Sequence, residues 1–195
     1  SRNITKVNLE LGGKAPAIVL ADANLDLAAK AIVASRIINS GQVCNCAERI
    51  YVQCEVKEVF TQKLVELMKK VRLGNPLEDE TLDMGPMVNK QGQLHAQAMV
   101  DEAIKAGGRC LLGGHSVKGK GYYFEPTIID NVTNDMAILR QEIFAPVIPI
   151  ATFETIDEVI ELANDCEYGL TSSIYTQNIN TVSYTHLRAH ETDSY

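Results

Sequence analysis

Apolar residues recur along this chain with two different periods, and this alternation is the strongest constraint on its fold. Short runs rich in β-branched residues, typical of strands, are separated by longer runs with apolar residues three and four positions apart, typical of helices. Alternating strands and helices predict an α/β fold with a mostly parallel sheet. The predicted strands cover residues 5–11, 17–20, 50–53, 109–112, 124–130, 146–153 and 169–176.

Local signals predict where the helices begin and end. Ser40 and Gly41 stop the first helix, because glycine takes up the backbone conformation that follows a helix end. Thr155 and Glu158 match the S/T-x-x-E capping box, so a helix is expected to begin there. The predicted helices cover residues 25–38, 56–71, 89–106 and 155–164.

The two ends of the chain depart from this pattern. A strand that begins almost at residue 1 predicts that preceding sequence is missing. Residues 182–195, VSYTHLRAHETDSY, develop no amphipathic period, so no helix is expected there. This segment resembles translated sequencing-adapter sequence, and we expect it to be a non-native tail.

Composition excludes several classes of function. The 195 residues are 46% hydrophobic and 22% charged, which is enough chain and enough apolar content for one domain with a core. A formal net charge of -7 argues against binding to nucleic acid or to anionic lipid, so a small-molecule partner is expected. Apolar runs are too short to span a membrane and no signal-peptide core is present, which predicts a soluble, cytoplasmic protein.

The segment GQVCNCAER, residues 41–49, places Cys44 directly after a glycine turn that follows a helix. A thiol held in this way is a candidate nucleophile, although a cysteine is more often a small buried hydrophobe. Cys44 and Cys46 could supply two ligands of a zinc site, but no second pair of ligands follows, so no metal is predicted. Cys54, Cys110 and Cys166 are expected to be packing residues, and all five thiols are expected to be reduced.

The segment LELGGKAP, residues 9–16, places Glu10 at the end of an apolar strand and just before two glycines. A carboxylate there is a candidate general base. The alternative is an acid at a strand end that forms a salt bridge or caps the next segment.

Taken together, these two motifs resemble the aldehyde dehydrogenase superfamily. The resemblance covers residues 1 to about 181, and the branch that acts on lactaldehyde and glycolaldehyde is the most similar one. Further matching motifs, in the family's order, are GNP at 74–76, MGP at 84–86, GYYFEPT at 121–127, QEIFAPV at 141–147 and ANDCEYGLTSSIYT at 163–176.

The resemblance implies a domain organisation and a cofactor. Residues 1–12 are expected to end a cofactor-binding domain, and residues 13–181 to form an incomplete aldehyde-dehydrogenase-like catalytic domain, truncated at both ends. NAD is the expected cofactor, with NADP left open. The parent protein is expected to be a homo-oligomer, either a dimer or a tetramer, that acts on a small aldehyde.

The resemblance also implies a mechanism. Cys44 attacks the aldehyde as a thiolate and forms a thiohemiacetal, whose oxyanion is met by the Cys44 backbone N–H. Hydride transfer to the nicotinamide leaves a thioester, which is hydrolysed by a water that Glu10 deprotonates. Asn45 is a candidate for binding the substrate, with a loop-stabilising hydrogen bond as the alternative.

Four residues are implied to contact the cofactor. Glu142 would hold the nicotinamide ribose hydroxyls and Phe144 would border the nicotinamide, while Leu11 and His95 are weaker candidates. The alternatives are a helix-end acid at Glu142, a core phenylalanine at Phe144 and a solvated helix histidine at His95. Ala145 stands where the family usually has glycine.

Other functions remain open at this stage. A CoA-acylating dehydrogenase would resolve the thioester with CoA instead of water, but the presence of Glu10 favours hydrolysis. A different semialdehyde dehydrogenase is a second alternative. The chain could also be a non-catalytic truncated fragment that serves as a structural or interaction module, or a metal-binding module.

Overall fold

A computed structural model describes residue 6 and residues 11–189 of the chain, with side chains to residue 185. The strand predicted over residues 5–11, including Glu10, lies outside the described residues except at positions 6 and 11. Among the residues described, none of the helices combines the length and the apolar character that a membrane crossing requires.

Within residues 11–189, six strands form one sheet in the order β3-β4-β5-β2-β1-β6. Every neighbouring pair is parallel except β3 and β4, which are antiparallel. The predicted α/β fold with a mostly parallel sheet is therefore confirmed. The strands are β1 (Pro16–Val19), β2 (Arg49–Gln53), β3 (Arg109–Leu112), β4 (Thr127–Asp130), β5 (Val147–Phe153) and β6 (Ser173–Tyr175).

Six α-helices and two short 3₁₀ turns accompany the sheet in the described residues. The turns are Ile38–Gly41 and Cys54–Val56, and each adjoins a longer helix. The predicted helices are present, while the one-turn helix α4 has no counterpart in the sequence analysis. The helices are α1 (Leu25–Ile37), α2 (Lys57–Met68), α3 (Lys90–Lys105), α4 (Ala137–Arg140), α5 (Ile156–Asn164) and α6 (Ile179–Ala189).

Two strands are shorter than predicted. The strand expected over residues 124–130 begins only at Thr127, because Pro126 has no N–H to give to the ladder. The strand expected over residues 169–176 is paired only from Ser173 to Tyr175. Its pairing with β1 begins at Ala17, since Pro16 before it cannot donate a ladder hydrogen bond.

The expectation of no helix beyond residue 182 was wrong, because α6 runs to Ala189. The inward positions of α6 include Thr181, which is buried, and the partly buried Val182 and Thr185. Two of these three are threonines, so a search for apolar periodicity missed the buried face. The Tyr184 hydroxyl donates to the Asp157 carboxylate at 2.8 Å, which joins α6 to α5. That this segment is non-native stays a prediction.

The core has two apolar layers, one on each face of the sheet. Alternate strand residues point to opposite faces, as a pleated strand requires. In β2, Ile50 and Val52 join the layer that contains α1 and α2, while Tyr51 joins the layer that contains α3 and α5. Covering both faces explains why the central strands read as continuous apolar runs.

The capping box at the start of α5 is confirmed. The Thr155 hydroxyl accepts a hydrogen bond from the Glu158 N–H at 3.2 Å, and the Glu158 carboxylate accepts one from the Thr155 N–H at 3.4 Å. Substituting Thr155 by alanine is expected to lower the free energy of unfolding by about 1 kcal/mol, because the cap is lost. Urea denaturation of the chain measures the change.

Thr171→Ala is the matched control for this substitution. Thr171 is exposed and lies in a loop outside any helix end. A change within about 0.5 kcal/mol is expected for a surface substitution of this kind. Equal losses for the two variants would contradict the role of the cap.

Candidate active site

The sheet order brings three segments together at one edge. GGK, residues 12–14, leads into β1, the cysteine segment 41–48 leads into β2, and the segment 142–146 leads into β5. Because β5, β2 and β1 are neighbours and run parallel, their amino ends meet at the same edge of the sheet. The described part of the first motif, residues 11–16, is therefore adjacent to the cysteine motif and to the segment that carries Glu142 and Phe144.

The segment before Cys44 makes a left-handed turn at the end of α1. Asn39, Ser40 and Gly41 have φ angles of 47°, 57° and 76°, so the predicted stop after α1 is confirmed. A Cβ on Gly41 would overlap the Ala145 carbonyl, and glycine avoids both the overlap and the strain of a positive φ. The turn therefore holds the cysteine segment close to the segment before β5.

A second set of contacts fixes the cysteine segment from another side. The Ser40 hydroxyl donates to the Gly85 carbonyl at 2.7 Å, and the Val88 N–H donates to the Gln42 side-chain oxygen at 2.9 Å. Gly85 belongs to the MGP motif at residues 84–86 of the sequence analysis, and Val88 follows that motif by two residues. Cys44 is half-buried in the resulting loop, two positions after Gln42.

The two glycines before β1, Gly12 and Gly13, lie close to Cys44, although the predicted turn is absent and residues 11–15 form no regular structure. A Cβ added to Gly13 would overlap the Cys44 carbonyl oxygen, so the two backbones approach as closely as glycine allows. Glu10, the candidate base, lies outside the described residues. Leu11, predicted to contact the cofactor, has 72% of its surface exposed.

Glu142 contacts the same two glycines, and Phe144 lies two residues further along the chain. The Gly13 N–H donates to one Glu142 carboxylate oxygen at 3.0 Å, and a Cβ on Gly12 would lie 2.6 Å from the other. Phe144 is 38% exposed and has a φ of 52°. A positive φ is rare for a bulky residue and marks a position that its surroundings must hold. Phe144 is thus an exposed, strained residue and does not belong to the core.

The remaining candidates lie beside this group. His95 is exposed on α3, with its Nε2 2.9 Å from the Glu142 carbonyl oxygen, so it contacts the backbone of the segment before β5. Asn45 is exposed and lines a cavity of about 150 Å³. The same cavity is also lined by five residues that carry a hydroxyl group: Ser35, Thr171, Ser172, Ser173 and Tyr175.

Sequence analysis missed a buried cluster of charges at the centre of this edge. The Glu48 carboxylate pairs with the Lys14 ammonium at 2.7 Å and with the Arg36 guanidinium at 2.7 Å, and all three side chains are buried. Both carboxylate oxygens accept backbone N–H groups as well, from Ile143 at 3.0 Å and from Phe144 at 3.1 Å. The sequence signal that could have indicated this cluster is the presence of these three charged residues within otherwise apolar segments.

The charge state of this cluster follows from its contacts. Burial opposes the charge on Glu48, but Arg36 and Lys14 together hold the pKa of its carboxyl below the ordinary value. Burial lowers the pKa of Lys14 to about 8, although Glu48 acts in the opposite direction. Glu48 is therefore ionised at neutral pH, and it orders the segments around it.

Cys46 differs from Cys44 in its surroundings. Its buried sulfur accepts a hydrogen bond from Arg36 at 2.9 Å and donates one to the Val43 carbonyl at 2.9 Å. Burial raises the pKa of the Cys46 thiol, against the opposing effect of Arg36. Among the described residues, no group of three or more His, Cys, Asp or Glu side chains could hold a metal ion.

All five cysteines lie in the described part of the chain and are free thiols. The expectation that Cys54 and Cys110 are packing residues was wrong, because both are exposed. Cys54 opens the turn that leads into α2, and Cys110 lies on β3 at the edge of the sheet.

Comparison with known proteins gives consistent matches. Residues 1–190 match the family described as "Aldehyde dehydrogenase family". Lactaldehyde dehydrogenase of Escherichia coli strain K12 is 53% identical over 180 residues, which are 92% of this chain and 38% of that protein. A crystal structure of lactaldehyde dehydrogenase from Escherichia coli superposes with a TM-score of 0.93 at 52% identity, covering 96% of this chain and 39% of the other.

Two further proteins extend the comparison. A D-glyceraldehyde dehydrogenase (NADP(+)) of Picrophilus torridus is 42% identical over 91% of this chain and 36% of its own length. The crystal structure of an NAD-dependent aldehyde dehydrogenase from Sinorhizobium meliloti has a TM-score of 0.91 at 39% identity, covering 96% of this chain and 37% of the other. The chain thus spans less than two fifths of the length of these relatives.

Substituting Gly13 by alanine is expected to disturb the site, because the new Cβ would overlap the Cys44 carbonyl. Displacing packed backbone in this way is expected to lower the free energy of unfolding by about 1–3 kcal/mol, measured by urea denaturation. Gly169→Ala is the control, since a Cβ there meets nothing within 4 Å. Equal effects in the two variants would contradict the close approach of Gly13 and Cys44.

The thiols are expected to differ in their rates of alkylation. Brief treatment of the native chain with iodoacetamide near neutral pH is expected to label the exposed Cys54 and to leave Cys46 unmodified, because Cys46 is buried and its pKa is raised. Mass spectrometry of tryptic peptides measures the labelling. Urea is expected to abolish the difference, and rapid labelling of native Cys46 would contradict it.

Proposed function

This chain belongs to the aldehyde dehydrogenase family, and on that premise we propose that it carries the catalytic thiol of an NAD(P)-dependent aldehyde dehydrogenase. The reaction is the oxidation of a small aldehyde to its carboxylic acid. The observation that carries the proposal is the meeting of Gly13, Cys44 and Glu142 at the amino ends of adjacent parallel strands.

Cys44 is the nucleophile in this proposal. Its thiolate attacks the aldehyde carbonyl carbon and forms a C–S bond, which gives a thiohemiacetal with an oxyanion. The Cys44 backbone N–H is the donor assigned to that oxyanion. Support comes from the rigidity of the loop, which is fixed by the left-handed turn at Ser40 and by the contacts to Gly85 and Val88. Rigid placement is what a near-attack geometry requires.

NAD(P)⁺ supplies the hydride acceptor when it is bound, and loss of hydride from the thiohemiacetal leaves a thioester on Cys44. Glu142 and Phe144 are the residues proposed to hold the nicotinamide end. The Glu142 carboxylate retains lone pairs beyond its bond to the Gly13 N–H, which suits a ribose diol. The exposed Phe144 ring offers an apolar wall.

Leu11 and His95 complete the cofactor side of the proposal. Leu11 directly precedes Gly12 and Gly13 and is exposed, so it is available for contact. His95 acts through the Glu142 carbonyl that its ring nitrogen contacts. Relatives described as NAD-dependent and as NADP(+)-dependent both match this chain, so the proposal covers either nucleotide.

Glu10 is the proposed base for the second half of the reaction. It removes a proton from the water that attacks the thioester, and the products are the carboxylic acid and the regenerated thiol. The support is its position in the sequence, just before two glycines that lie against Cys44 and Glu142. Water as the acceptor distinguishes this reaction from acyl transfer to CoA.

A small hydroxylated aldehyde such as lactaldehyde or glycolaldehyde is the proposed substrate. Asn45 directly follows the nucleophile and is exposed, so its side-chain amide is available to a hydroxyl group of the substrate. The relative that is 53% identical is a lactaldehyde dehydrogenase. A cytoplasmic location and a homo-oligomeric parent protein belong to the same proposal.

The test uses a chimera in which residues 1–181 of this chain replace the matching segment of Escherichia coli lactaldehyde dehydrogenase. We expect NADH formation with lactaldehyde and glycolaldehyde. Cys44→Ala is expected to reduce the rate by at least about 10³-fold, because the covalent step is lost. Cys54→Ala, an exposed cysteine in a turn before α2, is the control and should leave the rate unchanged.

The role of Glu10 is tested in the same chimera. Glu10→Gln is expected to form the thioester and to hydrolyse it slowly, so that an acyl adduct on Cys44 accumulates and is detected by intact-protein mass spectrometry. Addition of CoA distinguishes the alternative acceptor, since a CoA-acylating enzyme would release an acyl-CoA. A wild-type rate in Cys44→Ala, or no adduct in a slow Glu10→Gln variant, would refute the corresponding assignment.

A further inference from the structure

One carboxylate holds the strained segment that ends in Phe144. The two oxygens of Glu48 accept the N–H groups of Ile143 and Phe144, at 3.0 and 3.1 Å, from the segment before β5. Each oxygen also faces one cation, Lys14 on one side and Arg36 on the other. The carboxylate therefore has four donors arranged around it in a buried site.

The backbone of Phe144 requires such a hold. Its φ of 52° lies in the left-handed region, which a side chain with a Cβ rarely occupies, and the conformation persists only where the surroundings determine it. The N–H of Phe144 is directed at Glu48, and the carbonyl of the next residue, Ala145, accepts a hydrogen bond from Arg36. Glu48 and Arg36 therefore form hydrogen bonds with the backbone on both sides of the strained residue.

We propose that Glu48 is a positioning residue that sets the place of Phe144 and Glu142 relative to Cys44. This inference rests on the proposed function, in which these two residues border the nicotinamide. Glu48 acts through the backbone of the segment before β5, and its effect is on the orientation of the hydride acceptor. It is buried beneath that segment and does not itself touch the substrate.

The cysteine loop does not depend on Glu48 alone. Ser40 is bonded to Gly85, and Gln42 is bonded to Val88, both in a different segment of the chain. By contrast, the N–H groups of Ile143 and Phe144 both have Glu48 as their acceptor. Loss of the carboxylate is therefore expected to disturb the nicotinamide side of the site more than the thiol.

Glutamine is the informative substitution because it keeps the shape of Glu48. One of its two terminal atoms is an amide nitrogen, which donates and cannot accept. That nitrogen would face a cation and a backbone N–H. At least one of the two hydrogen bonds from Ile143 and Phe144 is therefore lost. Glu48→Asp keeps the charge but is one methylene shorter, and it is expected to retain part of the hold.

The test compares two reactions of the same thiol in the chimera. Oxidation of lactaldehyde needs the nicotinamide, whereas hydrolysis of p-nitrophenyl acetate needs only attack by Cys44, release of nitrophenolate and hydrolysis of the acetyl thioester. Glu48→Gln is expected to lower the ratio of dehydrogenase to esterase rate by about 10- to 100-fold, as expected for misplacement of reacting groups. Glu48→Asp should give an intermediate ratio.

Asp130→Asn is the matched control. Asp130 is also a buried carboxylate with two cations, Lys57 at 2.8 Å and Arg109 at 2.9 Å. It ends β4, so it lies at the opposite edge of the sheet from the site. This variant is expected to lower stability while leaving the ratio of the two rates unchanged. A ratio unchanged in Glu48→Gln as well would reduce Glu48 to a structural ion pair and overturn the inference.

Amide hydrogen exchange, measured on the chain itself, tests the hydrogen bonds from Ile143 and Phe144 to Glu48 without an assay of enzyme activity. In Glu48→Gln, the amides of Ile143 and Phe144 are expected to exchange at least about 10-fold faster, while the Val88 amide serves as an internal reference. Unchanged exchange at residues 143 and 144 would also overturn the inference. An unaltered chimera that hydrolyses the ester but forms no NADH would overturn the proposed function, and the exchange result would still report on the hold.

Discussion

The buried carboxylate of Glu48 is the constraint on which the rest of the site depends. An ionised group in the interior carries a large desolvation penalty, which only close partners can offset. Glu48 has such partners from three separate segments: Lys14 before β1, Arg36 in α1, and the N–H groups before β5. Removing one partner of a buried pair typically costs about 3–5 kcal/mol, so the three segments are tied to one arrangement.

The parallel order of the strands explains how Glu48 and its partners contact segments that are far apart in sequence. Neighbouring parallel strands bring their amino ends to the same edge, so segments that are far apart in sequence become adjacent in space. Glycine then allows backbone to meet backbone, at Gly13 against Cys44 and at Gly41 against Ala145. Charge and close approach together specify the site: the carboxylate sets which segments meet, and the glycines set how near they come.

Much of the fold could be predicted from the sequence because its signals are local. Apolar periods gave the helices and central strands, and Thr155 with Glu158 gave the start of α5. The helix α6 was missed because Thr181 and Thr185 line its inner face, and threonine does not register as apolar. Strand order is not a local property, so the adjacency of β5, β2 and β1 could only come from the structure.

In the candidate site too, residues with a local sequence signal could be predicted, and residues that depend on distant partners could not. Cys44 stood out because a glycine turn before a cysteine is a local pattern, whereas Glu48 did not, since a charged residue is ordinarily expected at the surface. Its burial is intelligible only with Lys14 and Arg36, which are distant in sequence. The same cluster separates the two cysteines of the C-x-C pair. Arg36 engages the buried Cys46 sulfur, so Cys46 joins the framework of the loop and Cys44 is left at its half-buried face.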